Sequence, residues 1–250
     1  MKRNELVRYL DEYLSIGLFS SIDPSLNSLV VGGPDKEVAK IAFAVDACQR
    51  TFDLAVEWGA DMLIVHHGLY WGRPMAITGT HYQRIKTLLD AEVDLYAAHL
   101  PLDAHPAVGN NAVMASQLGL LDRESFALFK GVAIGFKGKL PKPLSAKEIS
   151  DALGFTKPII LPFGPEAITT VGIVSGGASG DVHTALSEDL DCFITGECDH
   201  QVYNDCLEGG ITMIGGGHYE SEVFGVQALS EHLASLLGVQ TLFLDHPTGL

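Results

Sequence analysis

Long apolar runs are missing from this chain, although 47% of its 250 residues are hydrophobic. None reaches the roughly 18 consecutive apolar residues that a membrane-spanning helix needs, so no span is expected. The surplus, with a mean hydropathy of +0.21, is read instead as interface between copies of the chain. Basic residues are scarce too, 16 Lys and Arg against 31 Asp and Glu, for a formal charge of -15. A field of that sign repels nucleic acid and anionic membranes, and neither is expected as a partner. Bound divalent cations are one way to invert it locally. Cysteine amounts to Cys48, Cys192, Cys198 and Cys206, with no CxxC spacing. That excludes a zinc ribbon and leaves small hydrophobes in a reducing cytosol. The opening MKRNELVRYLDEYL is too charged for a signal peptide, so a cytoplasmic location is expected.

What is present centres on Met62 to Gly68, MLIVHHG. Four apolar residues before a turn signal read as a buried strand, and chemistry in open α/β sheets gathers just past the carboxyl ends of such strands. His66 and His67 stand there. Ahead of them, Leu6, Leu10, Tyr13 and Leu14 recur at helical spacing, Asp23-Pro24 marks a turn, and Leu29 to Val31 is a short strand ended by Gly32-Gly33-Pro34. The apolar run Ile41 to Val45, a helix over 51–59 and the histidine strand make a strand-helix-strand unit, which implies a parallel sheet. Trp71 and Arg73 follow the histidines, placed either as a substrate wall or as loop packing.

Beyond a helix near 81–91, Asp94 to His99 forms a further strand ending in histidine. Asp103 stands four residues past His99, across Pro101, which forbids a continued helix. A helix over 110–118 follows. The stretch 121–165 holds a strand-like segment near 126–136, a lysine- and proline-rich stretch and the capping box Ser145 to Glu148. Its lysines, Lys130, Lys137, Lys139, Lys142 and Lys147, read as a solvated face, with a lip for an anionic substrate as the alternative.

The second half repeats the first in pattern. Asp61 to His67 aligns with Asp191 to Glu197 at an offset of 130 residues, which also places Ile41 on Val171. The next strand of each half ends in a histidine with a carboxylate four residues on: His99 with Asp103, and His218 with Glu222. If the halves pack with their strand ends facing one crevice, His66, His67, His99, Asp103, Glu197, His218 and Glu222 converge. Side chains alternate along a strand, so His66 and His67 are expected to serve two neighbouring ions rather than chelate one. Either Glu222 or Asp103 has the chemistry to bridge such ions, and the donor set suits Zn, Mn, Fe or Co over Ca or Mg. The Gly-rich Ser175 to Gly180 is a tight turn or, alternatively, a phosphate cradle on backbone amides, though it lacks a P-loop lysine. His81, His105, His183, His200, His232 and His246 are read as structural or exposed.

The motifs VHHG, HLPLDAH and GGGHYESE, with DPSLNSLVVG and ITGE between and before them, occur in an order that resembles the Nif-three-like family. These are the YbgI-like dinuclear metal centre proteins, whose members carry the name GTP cyclohydrolase 1 type 2 homologue. The resemblance implies two divalent metal ions per chain held by His66, His67, Asp103, His218 and Glu222, with Glu222 bridging. His99 and Glu197 are then outer-shell or acid–base groups. It also implies an α/β fold of two pseudo-repeated, intertwined halves with the metal site in the crevice between them, assembled as a hexameric ring. The halves are expected at 1–122 and 166–250, joined by 123–165 with no inserted domain. Longer relatives carry such a domain, and the family's NGLQV segment reads Asn27-Ser28-Leu29-Val30-Val31 here, which implies a local packing change. The function implied is metal-dependent hydrolysis of a nucleotide or another small anionic phosphorylated substrate; the alternative is a non-catalytic metal-binding scaffold or metal-handling factor.

Overall fold

A computed structural model describes all residues 1–250. In chain order the first elements are α1 (Arg3–Tyr13), α2 (Ile16–Phe19), β1 (Ser28–Val31), β2 (Lys40–Asp46), α3 (Gln49–Trp58), β3 (Met62–His67), α4 (Gly79–Asp90) and β4 (Asp94–Ala97). Then come α5 (Leu100–Ala104), α6 (Asn110–Gln117), β5 (Leu121–Phe129), β6 (Val132–Leu144), α7 (Ala146–Leu153), β7 (Ile159–Pro162) and β8 (Ile168–Ile173). The chain closes with α8 (Val182–Ser187), β9 (Cys192–Thr195), α9 (Tyr203–Gly209), β10 (Thr212–Gly215), α10 (His218–Leu237) and β11 (Gln240–Phe243). No helix is long and apolar enough to cross a membrane.

The chain divides into two compact units, one of residues 1–102 and 226–246, the other of residues 103–225 and 247–250. The boundary is not the one expected from sequence. Residues 123–165 are no connector: they supply β5, β6 and β7 to the second unit's sheet, while the chain's last strand, β11, returns to the first. Length alone hides this, because strand partners are chosen by hydrogen bonding and not by distance along the chain.

The first unit's sheet runs β1-β4-β3-β2-β11. β11, β2, β3 and β4 are mutually parallel, and β1 is antiparallel at the edge. The interiors of β2 and β3 and all of β4 are buried, as parallel strands covered on both faces require. Phe52 and Ala55 of α3 and Ile85 and Leu88 of α4 pack with Leu63, Val65 and Leu95 of the sheet. Helix α3 ends on Gly59, whose φ of +74° closes the left-handed cap.

The second unit's sheet runs β5-β6-β8-β9-β10-β7. Its centre, β8-β9-β10, is parallel, and Ile149 and Leu153 of α7 pack on Val171, Ile194 and Ile214. The strand-like segment at 126–136 proves to be a hairpin, β5 and β6 paired antiparallel. Lys130 and Gly131 both have positive φ, 47° and 89°, as a two-residue turn matched to strand twist requires. The lysine- and proline-rich stretch belongs to β6. Its Lys137 pairs with Glu124 and Glu188, Lys139 with Asp122, and Lys147 beyond it with Asp151, a solvated ionic face.

The repeat is present at the level of hydrogen bonds. Asp61 accepts from the backbone N–H of Ala39 and Lys40, and Asp191 from those of Thr169 and Thr170, each pair 130 residues on. The registers agree as well: Ile41 faces Met62, and Val171 faces Cys192. One strand further the offset changes, since Met62 faces Asp94 whereas Cys192 faces Thr212. On that register His99 aligns with Gly217, one residue short of His218.

Candidate metal centre

In the first unit, parallel pairing of β2, β3 and β4 brings three strand ends together. His66 and His67 close β3; Asp46 closes β2 directly beside His67; and Ala98, whose N–H is bonded to the carbonyl of Val65, follows β4. The buried His66 has its Nδ1 3.0 Å from the Ala98 carbonyl. Since a carbonyl only accepts, this nitrogen carries the ring's proton. His67 Nδ1 lies 2.9 Å from Asp46 Oδ1, and His99 Nδ1 3.0 Å from Asp23 Oδ1. All three imidazoles are therefore fastened through Nδ1, which leaves Nε2 as the nitrogen that can bind a cation.

These rings are neighbours, with centroids 4.7 Å apart for His66 and His67, 5.1 Å for His66 and His99, and 5.7 Å for His67 and His99. One ligand atom from each lies within 4.8 Å of the others. The rings of His66 and His67 thus stand in one group with that of His99. At the last two residues of β3 each Nδ1 meets an acceptor from a different side, the Ala98 carbonyl just past β4 for His66 and the Asp46 carboxylate of β2 for His67.

Asp23 is the most heavily used of the supporting carboxylates. Its Oδ1 also accepts from the Ser25 N–H, and its Oδ2 from the Leu100 N–H and the Asn27 amide. Burial pushes this carboxyl up, but the bonds from His99, Asn27 and Ser25 prevail and hold it below the ordinary range. The Asp23-Pro24 turn of the sequence is thus the support of His99. Neither Asp23 nor Asp46 stands out as a site residue in the sequence. The available signal is Asp46 at the carboxyl end of a strand parallel to β3, readable once the strand order is known.

In the second unit Asp103 lies on α5, a short helix where sequence predicts an interrupted loop. Pro101 occupies its first turn, where a missing N–H costs nothing. The buried Asp103 carboxylate accepts at Oδ1 from Ser175 Oγ, at 2.8 Å, and from the Asn110 amide, at 2.9 Å. His218 begins α10, with Nδ1 2.5 Å from Glu197 Oε1 and Nε2 3.3 Å from Oε1 of the buried Glu222, one turn along. The fourth imidazole is thus held like the other three, and the structure places Glu197 on its Nδ1.

The glycine-rich turn has a steric role here. Gly176 adopts φ +67°, and a Cβ on it would sit 2.3 Å from Glu222 Oε1 and 3.4 Å from His218 Nε2. Its N–H donates to Ser221 Oγ, and that of Ser175 to Asn111 Oδ1, so these two amides do not serve as a phosphate cradle. Other histidines have structural partners: His81 meets Tyr70 edge-on, His183 pairs with Asp205, and His232 stacks on Tyr13. The four cysteines are free thiols, and burial pushes that of Cys198 up to about 12, which removes it as a nucleophile at neutral pH.

Two parallel-centred sheets, each carrying oriented imidazoles past its strand ends, define an α/β protein with histidine and carboxylate groups of metal-binding type. Residues 1–248 match the model of the Duf34/NIF3 (NGG1p interacting factor 3) family, and the chain belongs to that family. Among its relatives, the GTP cyclohydrolase 1 type 2 homolog of Deinococcus radiodurans is 47% identical, over 99% of this chain and 94% of its own. That of Archaeoglobus fulgidus is 46% identical over the whole of both chains. A solved structure from Thermus thermophilus superposes with a TM-score of 0.90 at 46% identity, and the protein ybgI, of unknown function, with 0.91 at 36%; each match covers both chains fully.

Proposed function

We propose that this protein is a dinuclear metal-dependent hydrolase acting on a nucleotide or a related phosphorylated small molecule. The observation that carries the reading is that His66, His67, His99 and His218 each have Nδ1 against an oxygen acceptor. Orienting four imidazoles this way consumes two carboxylates of the first unit and one of the second, and the arrangement is that of metal ligands with their supports. The ligand set is His66, His67, His99, Asp103, His218 and Glu222, for two ions per chain of the Zn, Mn, Fe or Co type. The family resemblance supports Glu222 as the bridge. His99, beside the ions in the sequence reading, joins the ligands because its ring stands with those of His66 and His67.

When bound, two divalent ions supply Lewis acidity and a water acidified to near neutral pH. The chain's own residues orient the donors. Asp46 and Asp23 hold His67 and His99, Glu197 holds His218, and Ser175 and Asn110 fix the Asp103 carboxylate. Glu197, 44% exposed at its side chain, has a second oxygen to take or return a proton, the acid–base role its position in the sequence suggests. The relatives' shared name supports a guanine nucleotide as substrate. The apolar excess supports a homo-oligomer, proposed as a hexameric ring.

The test is turnover by protein purified without chelator or His tag, assayed against guanosine triphosphate and simple phosphoesters. Hydrolysis that disappears on chelation and returns with Zn, Mn, Fe or Co is the result expected. Full metal loading without turnover of any of these substrates would favour a metal-stabilised scaffold.

A further inference from the structure

Trp71 is one of two tryptophans in the chain, and it behaves unlike its neighbour. Tyr70 turns inward and packs on the first unit's core, whereas Trp71 is 39% exposed and opens a run of exposed residues, 71–80. A large ring left in water is normally free to move. This one is fixed at several points. Its Nε1–H donates to the Gly68 carbonyl at 3.1 Å, and its backbone bridges antiparallel to Ser25. The next residue, Gly72, takes φ +71° with its would-be Cβ 3.5 Å from the Pro24 carbonyl, so the chain turns sharply just past the ring.

What the ring stands beside is the histidine triad. Its centroid is 4.9 Å from that of His99, nearly perpendicular at 76°, and 5.8 Å from that of His67, tilted by 52°. In an edge-to-face pair at least one face of the indole stays uncovered by its partner. A rigid aromatic face next to oriented metal donors is a platform for a flat ring, because stacking needs a preformed surface that loses little freedom on binding.

We infer that Trp71 is a substrate-positioning residue that stacks on the heteroaromatic base of a nucleotide held at the histidine triad. The inference rests on the proposed nucleotide hydrolase and narrows its substrate class to base-bearing compounds.

The experiment is equilibrium binding to the metal-loaded protein, with guanosine monophosphate as one probe and ribose 5-phosphate, which lacks the base, as the other. Trp71→Leu keeps apolar volume but removes the π-face, and Trp71→Phe restores a smaller one. Metal content and oligomeric state are measured on every variant. Trp71→Leu is expected to weaken guanosine monophosphate by about 5- to 150-fold, the worth of one base stack. Ribose 5-phosphate should be unaffected, and Trp71→Phe should recover most of the loss. Equal weakening of both probes, unchanged nucleotide binding, or altered metal content or assembly in Trp71→Leu would each overturn the inference. If the wild type hydrolyses phosphoesters but binds both probes equally, the hydrolase reading stands and this inference falls. A wild type that binds metal but neither probe and turns nothing over would sink both.

Discussion

Removing the charge that orients His67 is the cleanest way to separate support from ligand. Asp46 touches His67 through Oδ1 at 2.9 Å with its side chain 31% exposed, so Asp46→Asn or Asp46→Ala leaves no buried cavity. The start of α3 is held by other groups, the Cys48 N–H donating to Thr51 Oγ1 and Thr51 Oγ1 to the Asp46 backbone carbonyl. Stability of the metal-free protein should therefore change by less than ~0.5 kcal/mol, as for surface substitutions generally. Metal affinity should not be spared. Losing a carboxylate partner of a ligating imidazole costs about 10- to 100-fold, or ~1.4 to 2.8 kcal/mol. Asp46→Asn, which keeps an accepting oxygen, should fall at the low end and Asp46→Ala at the high end. Competition between apo-protein and a chromogenic chelator for zinc measures the affinity, with thermal unfolding of the apo-proteins alongside. Unchanged affinity in Asp46→Ala, or a loss matched by a drop in apo-protein Tm, would refute the orientation argument.

Three further expectations come from the second unit. Gly176→Ala places a methyl against the Glu222 carboxylate at a positive φ and should cost more than ~1 kcal/mol together with bound metal, read by Tm and metal content. Burial raises the Asp191 carboxyl, but bonds from Thr169 and Thr170 prevail and lower it. A depressed folded pKa means that its stabilisation is complete above about pH 3.9 and is lost as pH falls through the folded value. Acid unfolding of Asp191→Asn should consequently be flatter below about pH 4, and an unchanged slope would contradict the assignment. The Cys198 thiol, pushed from 9.0 to about 12, should alkylate at pH 8 about a thousandfold more slowly in the native protein than in the unfolded one, as mass spectrometry of the labelled peptide would show.

Much of this is legible in the sequence because it is carried by local pattern. Buried parallel strands announce themselves as apolar runs, so β2, β3 and β4 and the terminal histidines are readable directly. The Ser145 to Glu148 capping box is readable from four letters, and its reciprocal bonds are present. The 130-residue offset is readable too, down to Asp61 and Asp191. Non-local choices are hidden. The hairpin of β5 and β6 turns on positive φ at Lys130, a residue that does not advertise it. The return of β11 to β2 depends on pairing across some two hundred residues. The roles of Asp23 and Asp46 depend on which strands lie side by side.

The central claim is that this chain holds two transition-type divalent ions through its oriented histidines and carboxylates. Its most direct test is metal content by mass spectrometry of untagged protein purified without chelator, compared with an Asp103→Ala, Glu222→Ala double variant. About two ions per chain are expected in the wild type, and their loss in the variant. Wild-type protein that remains without metal after reconstitution with zinc, manganese, iron or cobalt would contradict it.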